Sequence, residues 1–162
     1  MPITFLDTKS EKRGFGFGVN SGVITVLGVI MGLYSSTASM IVIISAILSV
    51  AIADSFSDAL GIHVSEESVT KNHEHAWSAA LYTFLSKLLI TLSFLLPFIL
   101  LQIDLAVLVS IIYGLSITIV YNYYLALTNK VKPYLKIIEH LSVSLIVLAA
   151  TYYVGHLISL FF

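Results

Sequence analysis

Five long apolar runs divide this chain, at about 16–33, 40–60, 77–101, 105–128 and 137–161. A helix needs about 20 such residues to cross a bilayer. The last four runs reach that length comfortably. The first is short and rich in glycine, so its helix begins a few residues earlier, tilts or is locally irregular. Hydrophobic residues make up 58% of the 162-residue chain and charged ones 10%, against about 25% charged in a soluble domain. These runs imply an all-α fold, an integral membrane bundle of five transmembrane helices in a single domain over residues 1–162.

The basic residues give an orientation. Lys9, Lys12 and Arg13 precede the first run, Lys71 lies between the second and third, and Lys130, Lys132 and Lys136 lie between the fourth and fifth. With five helices all of them fall on one side, and the connectors at 34–39 and 102–104 contain no basic residue. By the positive-inside rule the N-terminus is cytosolic and the C-terminus extracytosolic. The charged segment before the first run does not read as a cleaved signal peptide. That is compatible with the plasma membrane of a microbial cell. No cysteine is present, so disulfides and thiolate metal sites are excluded.

The polar stretch from Gly61 to Ala76 reads GIHVSEESVTKNHEHA. It contains no proline, and helix two is expected to extend into the cytosol at least through Thr70. Asn72 then caps the helix that follows. Pro97 bends or ends helix three near its outer end. Glycines four apart in helix one, Gly18–Gly22 and Gly28–Gly32, suit close helix packing in lipid or open backbone groups to a substrate. Trp77, Tyr34, Tyr152 and Tyr153 are read as interfacial anchors.

Asp54 and Asp58 stand inside the second run. An aspartate there needs a partner, a proton or a water-filled path, and marks a transport function by default. Four residues apart, they share a helix face. Ile62 and Glu66 continue that row, and His63 with Glu67 forms a second row of the same spacing. Carboxylate and imidazole groups of this kind hold hard or borderline divalent ions. Asn20 and Ser21, near the cytosolic end of helix one, either complete a site beside Asp58 or make ordinary interhelical hydrogen bonds. The candidate metal ligands are therefore Asp54, Asp58, Ser21, Asn20, His63, Glu66 and Glu67. His73 and His75 are read either as solvated or as a shallower site.

At 1.5 Å per residue, Asp54 lies about 12 Å inside the cytosolic boundary and Lys87 about 15 Å. The two can meet. One reading is an ion pair that orients helices two and three. The other is cation or proton passage, since one lysine does not neutralise two aspartates. No HExxH, Walker loop or nucleophile triad is present, so no enzyme is expected, and the basic residues form no nucleic-acid patch.

GVNSGVITVLGVIMG at 18–32 and AIADSFSDALGIHVSEES at 51–68 resemble the vacuolar iron transporter family. The resemblance extends more weakly over the rest of the chain, including Pro97 and YYVGHLIS at 152–159. It implies a homodimer in the lipid bilayer that exports ferrous iron or manganese from the cytosol, with proton exchange in some members. The ions are substrates, and no tightly bound cofactor is expected. It implies a vacuolar membrane if the source is eukaryotic. Three positions depart from the family pattern. Ser21-Gly22 stands where relatives have Asp-Gly. Asp58 stands at a usual methionine, which hardens the site, and Ile62 at a usual glutamate. Only about fifteen residues fill the gap where larger relatives carry a glutamate-rich metal-binding domain. The alternatives are a non-transporting structural or regulatory membrane protein, with Asp54–Lys87 as a tie, or a passive cation channel.

Overall fold

A computed structural model describes residues 8–161, and among them all regular structure is helical: α1 (Lys9–Thr37), α2 (Met40–Thr70), α3 (His73–Ser93), α4 (Leu95–Leu100), α5 (Ile103–Thr128) and α6 (Pro133–Phe161). With α3 and α4 taken as one span, five helices are long and apolar enough to cross a membrane. Helices suit that setting because each pairs its own backbone N–H and C=O groups where no water can.

Several boundaries differ from the sequence reading. Of the alternatives for the short first run, the earlier start holds: α1 starts at Lys9 and runs for 29 residues, because polar residues continue a helix once it leaves lipid. For the same reason α3 starts at His73 and α6 at Pro133, four residues ahead of their apolar runs. Helix α2 does extend to Thr70. The polar stretch after it is helical on both sides of a two-residue break at Lys71 and Asn72. Lys71 adopts a left-handed φ of 52°, and Asn72 Oδ1 accepts from the backbone N–H of His75 at 3.1 Å. The third run is not one helix but is interrupted at Phe94. Pro97 has no N–H for the carbonyl of Ser93, and its ring crowds that carbonyl.

The chain forms two compact units interleaved in sequence. One comprises the chain through Gly22 with Leu48–Ser93, and the other comprises Val23–Ile47 with the chain from Phe94 onward. In the first unit, α1 meets α3 along Gly14, Gly18 and Gly22. A Cβ at Gly14 would overlap the carbonyl of Ala79, and one at Gly18 would lie 2.6 Å from Thr83 O. The close approach lets Thr83 Oγ1 donate to the carbonyl of Gly14 at 3.0 Å. In the second unit, Gly28 and Gly32 meet Val147 and Thr151 of α6. At the end of α1, the Tyr34 hydroxyl donates to Asp104 Oδ1 at 2.8 Å.

Candidate functional site

The glycine row of α1 sets up the polar centre of the first unit. A Cβ added at Gly22 would already touch the Cγ of Lys87 at 3.4 Å, so the lysine stem lies along the space that glycine leaves. The stem is buried, with 1% of the side chain exposed. Its ammonium ends among three side chains. Nζ contacts Asp58 Oδ2 and donates to Ser21 Oγ at 2.9 Å. Nζ also contacts Asp54 Oδ2, but as an ion pair without hydrogen-bond geometry, since that oxygen accepts no hydrogen bond. Ser21 Oγ in turn donates to Asp58 Oδ2 at 2.6 Å. The two carboxylates and one ammonium carry a net charge of −1. The acids are not sealed: 32% of the Asp54 side chain and 21% of the Asp58 side chain remain exposed.

This arrangement corrects one part of the sequence reading. Asp54 meets Lys87 as their depths suggest, but Asp58 is not without a mate, since the same ammonium reaches both acids. Lys87, weighed only as a partner for Asp54, is the centre of the cluster. A signal for this was present: two acids one turn apart offer one flexible cation two oxygens on the same face.

The other candidates lie elsewhere. Asn20 Nδ2 donates to the carbonyl of Gly16 on its own helix at 3.2 Å. Glu66 does not continue the ladder. It accepts from Ser10 Oγ at 2.5 Å and from Arg13 at 3.1 and 3.2 Å, tying α2 to the first turns of α1. The row drifts because each four-residue step overshoots a full turn by about 40°, which places Glu66 about 120° around from Asp54. His63 and Glu67 form a separate cluster with His73 of α3. Of the seven candidate ligands, Asp54, Asp58 and Ser21 share one site, His63 and Glu67 share another, and Glu66 is tied to Ser10 and Arg13.

The profile of the VIT family matches residues 62–156, more than half of the chain. The chain belongs to the vacuolar iron transporter family. No curated protein and no solved structure matches it. VIT proteins are membrane transporters of metal ions rather than enzymes, and the five apolar helices make this one an integral membrane protein. The matched stretch runs from the polar end of α2 into α6. It contains His63, Glu66, Glu67 and Lys87 and lies beyond Asn20, Ser21, Asp54 and Asp58. The family profile thus matches mainly where the sequence reading found the weaker resemblance. The departures at Ser21 and Asp58 fall outside it, and Ile62 is its first residue.

Proposed function

We propose that this VIT protein is a secondary transporter that exports ferrous iron or manganese from the cytosol through a path lined by Asp54, Asp58 and Ser21, in exchange for protons. The observation that carries the reading is the convergence of oxygens from these three side chains on Lys87 Nζ. An ammonium and a divalent cation seek the same kind of oxygen cradle. When Lys87 swings out of the cradle, two carboxylates are left with a charge of −2, which matches one divalent ion. Lys87 is thus a tethered stand-in for the substrate, and metal binding competes with it. Hard oxygen ligands favour manganese and ferrous iron over softer ions. Proton exchange follows the resemblance to the family, some of whose members couple metal export to protons. The chain contains no ATPase motif, so an ion gradient supplies the driving force.

The distribution of Lys and Arg supports a cytosolic N-terminus. A homodimer is supported by the exposed acids and by Ala53, Ser57 and Gly61, a small-residue row exposed on α2. The glycine row of α1, by contrast, is occupied within the chain. In proteoliposomes, wild type is expected to take up Mn2+ or Fe2+, and Asp58→Asn to reduce the rate at least tenfold while keeping the fold. Unchanged flux in Asp58→Asn would remove the acid from the path.

One observation favours a second reading. Lys87 is fully enclosed and in contact with both acids, as a structural tie would be. On that reading the protein is a scaffold, and no ion moves.

A further inference from the structure

We infer a second metal-binding site in this chain, formed by His63 and Glu67 of α2 and His73 of α3, for a borderline divalent transition-metal ion. The site is separate from the acidic path. His63 is five residues from Asp58, about 7.5 Å along the helix and about 140° around it.

The geometry follows from the turn between the two helices. His63 and Glu67 are one turn apart on α2, and His73 and Trp77 are one turn apart on α3. The break at Lys71 and Asn72 folds one pair against the other. Glu67 presents one oxygen to each histidine: Oε1 lies 2.9 Å from His73 Nδ1, and Oε2 lies 3.6 Å from His63 Nε2. The ligand atoms of all three residues lie within 4.8 Å of one another. Metal–nitrogen bonds of about 2.1 Å set ligands roughly 3.5 Å apart in a tetrahedral shell. Rotation of the exposed Glu67 and His73 side chains closes the remaining gap.

The second observation is at His63. The residue is 9% exposed, and its Nδ1 is buried with no hydrogen-bond partner. His63 Nε2 lies 3.6 Å from Glu67 Oε2, beyond hydrogen-bond distance, and in the tautomer with its proton on Nδ1 it offers a lone pair there, so that a cation between the two would be held by both. Two imidazoles and one carboxylate form a set that binds zinc, ferrous iron or cobalt, with water at the open positions. A bound ion joins the end of α2 to the start of α3 across the turn.

Trp77 makes the site observable. It is the only tryptophan in the chain. Its ring centroid lies 4.3 Å from that of His63, and its Nε1–H donates to His73 Nε2 at 2.9 Å. A ring that coordinates through Nδ1 carries its proton on Nε2 and no longer accepts from the indole. Metal binding therefore breaks the Trp77–His73 bond and places the ion beside the fluorophore.

The test is a Co2+ titration of the untagged full-length protein in detergent micelles, read by tryptophan emission and by cobalt absorbance. Wild type should show saturable quenching at one ion per chain, reversed by Zn2+. His63→Ala and the exposed-site variant Glu67→Gln should each raise the midpoint at least tenfold. Asp58→Asn should leave it within twofold, which separates this site from the transport path. The inference is overturned if wild type neither quenches nor binds Co2+, if Glu67→Gln titrates like wild type, or if Asp58→Asn alone abolishes the response.

Discussion

Lys87 holds the most consequential position at the scale of single residues. A buried ammonium is costly in a membrane unless opposite charges surround it, and Asp54 and Asp58 supply two. Lys87→Met removes the cation and leaves two carboxylates facing each other. Loss of one partner from a buried pair costs on the order of 3 kcal/mol, less here because the acids are partly exposed. Lys87→Met is therefore expected to lower the unfolding temperature in detergent. Adding Asp58→Asn should restore part of the loss, so that the double variant is more stable than Lys87→Met alone. A double variant less stable than Lys87→Met would show that the charges are not coupled. The contact of Asp54 with Lys87 was legible in the sequence from depth alone. The contact with Asp58 was signalled by two acids on one face but missed, because counting residues does not fix where a long flexible side chain ends. Glu66 was misplaced for the opposite reason: a rule that holds for one turn was extended over three.

The close packing of α1 on α3 rests on Gly14, Gly18 and Gly22, which differ in tolerance. A Cβ at Gly18 would lie 2.6 Å from the backbone oxygen of Thr83, whereas one at Gly22 would meet neighbours at 3.4–3.5 Å. Backbone does not yield as a side chain does, and overpacking costs about 1–3 kcal/mol. Gly18→Ala is expected to destabilise the protein by that amount in denaturant titrations, with Gly22→Ala nearly neutral. Equal effects would contradict the α1–α3 contact. The hairpin of α2 and α3 also has a register. Partners lie almost symmetrically about Thr70, just ahead of the break at Lys71 and Asn72: Glu67 with His73, His63 with Trp77, Phe56 with Phe84 at 4.6 Å, and Asp54 with Lys87. That register was within reach of the sequence once the turn was placed, and the Asn72 cap marked the turn. The helix ends were harder to read. Thr37, Thr70 and Thr128 close α1, α2 and α5, and Ala38, Lys71 and Lys130 follow in the left-handed region. Glycine is the usual signal for such an end, and none stands there.

For the whole molecule, five spans were legible because lipid imposes a length rule on every crossing helix. Association of two chains leaves a fainter mark. Gly14, Gly18, Gly22 and Gly28 of α1 are buried within the chain, whereas Ala53, Ser57 and Gly61 of α2 are exposed. If the exposed Ala53–Ser57–Gly61 row meets a second copy, Ser57→Cys is expected to form a disulfide between chains in oxidised membranes, with Tyr153→Cys on α6 as a control that does not. Equal cross-linking of both would remove α2 from the interface. The central claim, that the acids around Lys87 carry a divalent ion against protons, meets its most direct test in proteoliposomes holding wild-type protein and a trapped pH indicator. Mn2+ or Fe2+ influx is expected to be accompanied by proton movement in the opposite direction, with both signals lost together in Asp58→Asn. Metal flux without proton movement would contradict the exchange, and the absence of flux for either ion would contradict the transport reading itself.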